Sequence, residues 1–387
     1  MAALHRPQFP GLIMRFALLL GALAATLAAS SGAEADSSVL TYHGALDRAG
    51  RYVVPGLTDE RARGLHLDAS FHAAYRGGVY AQPLLWRRPG SASGVLIVAT
   101  DQDEVYAIDA ESGAQIWERT LGEPVMRAAL PCGNLPSLGV TGTPVIDPAR
   151  ATLYLDAMVM RDNQPRHEIY ALALADGSIE PGWPVDVATA LKGRFTPAVQ
   201  NERGALALFA GRVFVPFSGH YGDCGDYHGF VVGVSESDPA KVESFSTRGR
   251  GGGVWGQGGV TGDGKSLFAA TGNTFGAGAW SDGEAVLRFG PNLARPVDPR
   301  DYFAPSNWSL LDRADQDLGG TAPVPLDVPG AKGVRKLIFA IDKTGEAYLL
   351  DRDNLGGIGG ALLHAHVKAN RTMASPAVWS SDDGVFV

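Results

Sequence analysis

The chain has few cysteines, few charged residues and no basic run. Among its 387 residues the only cysteines are Cys132 and Cys224, charged residues make up 19%, and the formal net charge is −8. A small fold held together by many disulfides is therefore excluded. A nucleic-acid-binding surface is also excluded, because binding to phosphates needs clustered lysine and arginine.

Two further absences restrict the function. The sequence has no Cys-x-x-Cys-His segment, which c-type haem attachment requires, so we expect no haem in this chain. Beyond the N-terminal segment 1–35, no apolar run approaches the roughly 20 residues that cross a bilayer. We therefore expect no integral membrane segment once this N-terminal segment is removed.

Residues 1–35 have the pattern of a secretory signal peptide. Arg6 and Arg15 supply the positive charge, residues 16–29 form the apolar core, and residues 33–35 match an A-x-A cleavage site. A retained anchor is the alternative interpretation. The pattern predicts a periplasmic or secreted protein.

A sequence phrase from Val95 to Trp117 recurs along the chain. It consists of an apolar strand, a turn, a second strand, a Glu-Ser-Gly turn and a closing tryptophan. Weaker copies lie at 152–178, 212–234, 266–290 and 336–357. Repetition at this spacing predicts a solenoid or a propeller.

Most copies are accompanied by an X–Pro pair, in which X is usually a small residue. An apolar strand follows the proline. The longest interval between these prolines lacks an X–Pro pair at the expected place. Residues 255–259, Trp-Gly-Gln-Gly-Gly, lie there instead. The repeating unit corresponds to one four-stranded blade. The sequence thus predicts an all-β protein, a β-propeller with about five and a half blades. The marker prolines are Pro83, Pro144, Pro197, Pro323 and Pro376.

The repeats divide the chain into a lead-in at 36–74 and a propeller domain at 75–387. Val387 lies inside a strand pattern, so we expect the propeller to be incomplete and the chain to be a fragment of a longer protein. Two segments, 218–229 and 290–317, are long for hairpins and are predicted to be insertions, the second with a single helical turn.

The segment from Asp109 to Trp117 resembles the repeat of the quinoprotein alcohol dehydrogenases. Members of that family are eight-bladed propellers that hold pyrroloquinoline quinone and Ca²⁺ in the channel. The resemblance covers about 75–387. The same repeat occurs in non-enzymatic relatives, including the outer-membrane assembly propeller.

Trp255 and Asn273 carry the more specific part of this resemblance. The family places a tryptophan eighteen residues before the asparagine of a Gly-Thr-Gly-Asn turn, and these two residues have the same spacing. The resemblance implies that Trp255 stacks on the quinone and that Asn273 binds Ca²⁺, which prefers oxygen ligands. The alternative is a tryptophan packed between blades and an asparagine that caps a turn.

Two acidic residues and a lysine follow in the same region. Asp317, or Asp315 close to it, resembles the family's catalytic base. That base takes the proton of the alcohol near the calcium ion, and Asp317 is also a candidate calcium ligand. Lys343 resembles the basic residue that hydrogen-bonds the quinone oxygens. The alternatives are a solvated loop carboxylate and a turn lysine.

The resemblance is weaker upstream. Thr141 resembles a residue that contacts a carboxylate of the cofactor, and Asp223 and Asp226 are the nearest candidates for the acidic calcium ligand. The adjacent cysteine pair of the family is missing. Since the chain is expected to be exported, Cys132 and Cys224 are candidates for a disulfide, although the sequence does not give the distance between their Cβ atoms.

The segment around Cys224, from His220 to His228, has its own alternatives. Two histidines, two aspartates and one cysteine could bind a transition metal, or the segment could be a turn held by a disulfide. The spacing matches no standard zinc pattern.

Two functions remain open from the sequence. The first is an exported dehydrogenase that oxidises an alcohol or a sugar with pyrroloquinoline quinone and calcium and passes electrons to an external acceptor. The second is a non-catalytic propeller scaffold that binds a protein or a ligand in the cell envelope. One criterion distinguishes the two functions. The dehydrogenase requires that four residues converge on one cavity, namely Trp255, Asn273, Asp317 and Lys343.

Overall fold

Short antiparallel sheets follow one another along the chain. The computed structural model describes residues 38–54, 56–88, 93–367 and 371–387. The expected signal peptide at 1–35 lies outside the described residues. Within those residues, no helix combines the length and the apolar character that crossing a membrane requires.

Sheet 1 is a four-stranded meander built from the first repeat. Its third turn, between β3 and β4, is held by Asp109, whose carboxylate accepts hydrogen bonds from the Ser112 backbone N–H at 2.8 Å and from the Ser112 hydroxyl at 2.7 Å. A local acceptor of this kind stabilises a tight turn, which explains the recurring acidic residue in the phrase. The strands are β1 (Leu84–Arg87), β2 (Gly94–Ala99), β3 (Glu104–Asp109) and β4 (Gln115–Thr120).

The closing tryptophan of the phrase joins neighbouring sheets. The indole N–H of Trp117 donates to the Leu174 carbonyl at 3.0 Å. Gly177 has φ +69° and packs so closely that an added Cβ would lie 2.7 Å from the Trp117 ring. Glycine is therefore required at this position both by conformation and by contact.

Sheets 2 and 3 contain longer hairpins. In sheet 2, β8 and β9 pair over their full length, and short strands extend the sheet on either side. The strands of sheet 2 are β5 (Glu123–Met126), β6 (Ser137–Leu138), β7 (Val145–Asp147), β8 (Thr152–Arg161), β9 (Gln164–Ala173) and β10 (Val185–Asp186). Those of sheet 3 are β11 (Gln200–Asn201), β12 (Ala207–Phe209), β13 (Arg212–Gly219), β14 (Phe230–Ser235) and β15 (Val242–Ser246).

Sheets 4 and 5 are followed by a two-stranded hairpin, sheet 6. Sheet 4 consists of β16 (Thr261–Gly262), β17 (Leu267–Thr271), β18 (Ala285–Phe289), β19 (Tyr302–Ala304) and β23 (Gly357–Ile358), which pairs with β19 in parallel. Sheet 5 consists of β20 (Val324–Val328), β21 (Arg335–Ile341), β22 (Glu346–Asp351) and β24 (Leu363–His366). Sheet 6 consists of β25 (Trp379–Ser381) and β26 (Gly384–Phe386).

The segment 290–317 differs from the prediction of a loop with one helical turn. It contains β19, which lies between β18 and β23 in sheet 4, and a helix of seven residues. The α-helices are α1 (Asp59–Arg63), α2 (Val187–Ala190) and α3 (Trp308–Ala314). The 3₁₀-helices are Tyr42–Gly44, Arg127–Ala129, Pro197–Val199, Pro299–Asp301 and Leu318–Gly320.

The apolar core lies in layers between consecutive sheets. In β13, Val213 and Val215 pack against sheet 2, whereas Phe214 between them packs against sheet 4. Side chains of a strand alternate between its two faces, and here both faces are covered. This explains why the central strands of the repeats are continuously apolar rather than alternating.

The lead-in segment 38–50 connects several sheets. Its backbone reaches sheets 1, 2 and 4 and the segment that precedes sheet 6. The hydrogen-bonded pairs are Val39 with Leu85, Leu40 with Ile146, Leu46 with Gly262, and Ala49 with Val378.

Arg48 anchors this segment and is fully buried. Its guanidinium donates to the carbonyls of Leu206 at 2.8 Å, Val260 at 2.9 Å and Gly258 at 3.1 Å. Three acceptors in the lead-in itself, including the Thr41 hydroxyl at 2.5 Å, complete the set. Desolvation lowers the pKa of Arg48 to about 10, so the side chain remains charged at neutral pH.

Candidate functional site

The residues singled out by the sequence lie at the ends of strands in sheets 4 and 5. Asn273 follows β17, and Trp255 precedes β16. Asp317 immediately precedes the 3₁₀-helix Leu318–Gly320, and Lys343 lies in the turn after β21.

Asp317 and Lys343 form a buried ion pair. Lys343 Nζ lies 2.6 Å from Asp317 Oδ2, and the two side chains are 5% and 3% exposed. The other carboxylate oxygen of Asp317 accepts the backbone N–H of Asn273 at 2.8 Å. Such a pair is stable in a low-dielectric site only when further hydrogen bonds satisfy it, as the Asn273 N–H does here.

Trp255 forms the wall of this cluster. Lys343 Nζ and the Arg203 guanidinium carbon each lie 5.0 Å from the centre of its ring. Cations at this distance are attracted to the aromatic face. Gly272 packs against the indole, where an added Cβ would lie 2.7 Å from Nε1. The ring is thus fixed in position, beside two positive charges.

Asp315 is the more exposed of the two candidate bases. Its side chain is 58% exposed, and it pairs with Lys343 Nζ at 2.8 Å and with Arg371 at 3.0 Å. Its backbone has φ +53° at the end of α3. Lys343 therefore bridges an exposed and a buried carboxylate, and only Asp317 lies in an enclosed environment.

The sequence interpretation missed Glu284. Its side chain is buried, and Oε2 accepts the Leu318 backbone N–H at 2.7 Å. Burial, and then the charge of Asp317, raise the pKa of Glu284 well above its ordinary value. Burial of this kind favours the protonated carboxyl, which can donate a hydrogen bond. The only available signal was an acidic residue at the start of an apolar strand.

Thr141 lies in a separate cavity of about 250 Å³, between loops of sheets 2 and 3. Its hydroxyl donates to the Glu202 carbonyl. Arg203 lines the same cavity and also covers Trp255, so it connects the cavity with the Asp317–Lys343 cluster.

Asp223 and Asp226 do not join the cluster. Asp223 accepts the Tyr227 hydroxyl at 2.7 Å, and the Asp226 side chain is 84% exposed and 3.9 Å from His228. Between them, Cys224 forms a disulfide with Cys132. The segment is thus a turn held by a disulfide.

The donor set does not fit a calcium site. Ca²⁺ takes six to eight oxygen ligands, yet the two oxygens of Asp317 are used by Lys343 and by the N–H of Asn273. In the ranges that the structure describes, no group of three or more His, Cys, Asp or Glu is placed to hold a metal. Of the four expected ligands, Asn273 and Asp317 are in contact, whereas Asp223 and Asp226 lie outside the cluster.

The arrangement does fit a planar, negatively charged group. Trp255 offers an aromatic face, and the two cations beside it can offset negative charge. The Nε of Arg203 is buried and lacks a hydrogen-bond partner among the described residues, so a donor remains free at this place.

Comparison with known proteins agrees with this architecture. Residues 61–219 match the PQQ-repeat family described as outer membrane protein assembly factor BamB. No curated protein sequence matches the chain significantly.

Several solved structures share the fold. The quinohemoprotein alcohol dehydrogenase of Pseudomonas putida HK5 matches with a TM-score of 0.60 at 16% identity, over 88% of this chain and 51% of that chain. A europium-containing methanol dehydrogenase gives 0.59 at 15%, over 88% and 61%. The quinohemoprotein alcohol dehydrogenase of Comamonas testosteroni gives 0.58 at 16%, over 86% and 49%.

These findings confirm the predicted fold class. The chain has the β-propeller fold seen in the quinoprotein alcohol dehydrogenases, and a PQQ-repeat family model matches its residues 61–219. It spans about half the length of the first of these structures.

Proposed function

We propose that the chain is part of an exported quinoprotein-type dehydrogenase that oxidises an alcohol or a sugar with pyrroloquinoline quinone. The observation that carries the proposal is the convergence of Trp255, Asp317 and Lys343, with the Asn273 backbone, in one partly enclosed cluster. Residues that are far apart in the sequence and contribute an aromatic face, a base and a cation have no shared role in packing alone.

Each side chain has a distinct part in this reaction. Asp317 takes the proton of the substrate hydroxyl, and Lys343 both holds Asp317 in place and offsets negative charge beside Trp255. Pyrroloquinoline quinone, if held against the Trp255 ring near Lys343, would supply the acceptor for the hydride of the carbon that bears the substrate hydroxyl, and an external acceptor would take up the electrons. Glu284 holds the segment that follows Asp317 in place by accepting the Leu318 backbone N–H.

The proposal assigns no calcium ion, since the donor set described above does not fit one. We expect the protein to be periplasmic or secreted, as the N-terminal pattern predicts. The test is a dye-linked assay of the chain incubated with pyrroloquinoline quinone, with and without added Ca²⁺, over a panel of alcohols and sugars. We expect oxidation by the unmutated protein, its loss in Asp317→Asn, and its retention in Asp353→Asn, which changes an exposed aspartate.

A second function is favoured by a different observation. The match over 61–219 is to the family of an outer membrane assembly factor, which suggests a propeller that binds protein partners in the cell envelope. Absence of quinone binding by the unmutated chain, together with capture of an envelope protein on its surface, would support this scaffold function instead.

A further inference from the structure

A further cavity, here called the Trp183 cavity, lies between sheets 2 and 3 and contains none of the residues proposed above for quinone binding. Its volume of about 320 Å³ is near the lower end of small-molecule sites. Sheet 2 contributes Arg150 from the turn between β7 and β8, Tyr154 from β8, and Glu180 and Trp183 from the segment between β9 and β10, whereas sheet 3 contributes Glu236, which follows β14.

Two aromatic side chains form the apolar part of this wall. Trp183 is partly buried against the core between sheets 2 and 3, and its ring centre lies 5.5 Å from that of Tyr154, with the two ring planes inclined by 57°. Packing against Tyr154 and the core holds the indole in place. Aromatic faces attract cations, and the face of tryptophan does so most strongly. The wall therefore suits a ligand that is both apolar and positively charged.

Two carboxyl groups of the cavity have no ion-pair partner among the described residues. The side chain of Glu180 forms neither an ion pair nor a hydrogen bond there, and Oε1 of Glu236 is buried without a hydrogen-bond partner. Arg150 does not supply the missing charge, because its side chain is 49% exposed and lies 3.6 Å from a different carboxylate, that of Asp147. Buried polar atoms without partners are rare in folded proteins. The cavity thus has unpaired acceptors beside an aromatic wall.

The environment of Glu236 gives a cation a further advantage. Burial, and then the negative charge of Asp147, raise the pKa of Glu236, while Arg150 and Tyr154 act in the opposite direction. A positive charge beside a carboxyl favours the ionised form and lowers the pKa. A cation bound here would therefore release a proton from Glu236, and its binding should become tighter as the pH rises.

We propose that the Trp183 cavity binds a small organic ammonium ion, whose charged group contacts the Trp183 ring and the carboxylates of Glu180 and Glu236. A bare inorganic cation would leave the aromatic wall without a partner, and a neutral apolar molecule would leave the carboxylates without one. An ammonium ion with apolar substituents satisfies both parts of the wall. The inference is independent of the proposed function, since the two sites share no residue.

Calorimetric titration of the full chain with two probes of equal shape tests this inference. The probes are choline and 3,3-dimethylbutan-1-ol, in which a neutral carbon replaces the quaternary nitrogen. We expect choline to bind at least about tenfold more tightly, because only the charged probe gains from the aromatic face and the carboxylates. The same preference should persist in Asp317→Asn, which alters the proposed quinone site alone.

Three variants provide the comparison. In the double variant Glu180→Gln, Glu236→Gln the preference for choline should vanish, because the amides keep the size of the carboxyl groups without their charge. In Glu243→Gln, which changes an exposed glutamate of β15, it should persist. Trp183→Leu should weaken choline binding by at least about threefold. A cooperative denaturation curve shows that each variant folds, and Glu180→Gln alone should lower the preference if the double variant does not.

The pH dependence of choline binding gives a second measurement. Affinity should rise between pH 5 and pH 8 in the unmutated protein and rise less in Glu236→Gln, which has no proton to release at this position. Equal binding of choline and its neutral counterpart by the unmutated protein would overturn the inference. An undiminished preference in the folded glutamine variants would also overturn it, as would identical pH profiles with and without Glu236.

Discussion

Two buried cations, Arg48 and Lys343, are held in opposite ways. The donors of Arg48 face neutral acceptors, five backbone carbonyls and one hydroxyl, contributed by the lead-in and by sheets 3 and 4. Lys343 faces two carboxylates, Asp315 and Asp317, and the ring of Trp255.

The difference separates a structural role from a functional one. The surroundings of Arg48 are satisfied and closed, so nothing remains there for a ligand to bind. Around Lys343 the partners are titratable, and the Nε of the adjacent Arg203 has no hydrogen-bond partner among the residues that the structure describes. A buried charge by itself therefore does not mark a site; the unsatisfied groups next to it do.

The largest expected effect is on the free energy of unfolding, when Arg48 is replaced. Arg48→Met leaves the carbonyls of Leu206, Val260 and Gly258 without their donor, so we expect the free energy of unfolding to fall by about 3–5 kcal/mol. Denaturant titration measures this change. Arg51→Met, which alters a half-exposed arginine nearby, should stay within about 0.5 kcal/mol. A similar small loss in Arg48→Met would remove the distinction drawn here.

The second largest expected effect is on kcat, for variants of the carboxylates that pair with Lys343. Asp317→Asn removes the proposed base, so we expect kcat to fall by a factor of about 10²–10⁴, with little change in KM. Asp315→Asn should lower kcat by less than about tenfold, because that carboxylate is exposed and paired with Arg371. Steady-state kinetics of both variants decide the assignment. If Asp315→Asn has the larger effect, the two roles must be exchanged.

A smaller effect concerns pH. Because the folded-state pKa of Glu284 is raised, its contribution to stability is fully present below the unfolded-state pKa, about 4.3, and is lost as pH rises through the folded value. Glu284→Gln should remove this loss, with a change in slope of up to about 1.4 kcal/mol per pH unit. Denaturation of both proteins between pH 4 and pH 9 measures the difference. Parallel profiles would show that Glu284 is ionised in the folded protein.

Much of the fold could be predicted from the sequence because the repeat carries its own signals. The acidic turn seen at Asp109 recurs at Asp176 and Asp351, after the corresponding strands of later repeats. The strand β19 was missed, since three residues are too few to show alternation. It lies in a segment whose composition resembles a loop.

The site could be predicted only in part. Trp255, Asp317 and Lys343 stand in recognisable phrases, and the structure brings them together. Arg48 and Arg203 do not, because their roles depend on partners that are distant in the sequence; Arg48 bonds to Val260, 212 positions away. The role of Glu284 could be recognised only from the structure, because it depends on the proximity of Asp317 and Leu318.

The central claim is that the cluster around Lys343 binds a quinone, and equilibrium dialysis of pyrroloquinoline quinone against the full chain tests it most directly. The account predicts stoichiometric binding by the unmutated protein and at least about tenfold weaker binding by Lys343→Gln. It also predicts unchanged binding by Lys241→Gln, in which an exposed lysine is replaced. No binding by the unmutated protein, or equal binding by it and Lys343→Gln, would contradict the claim.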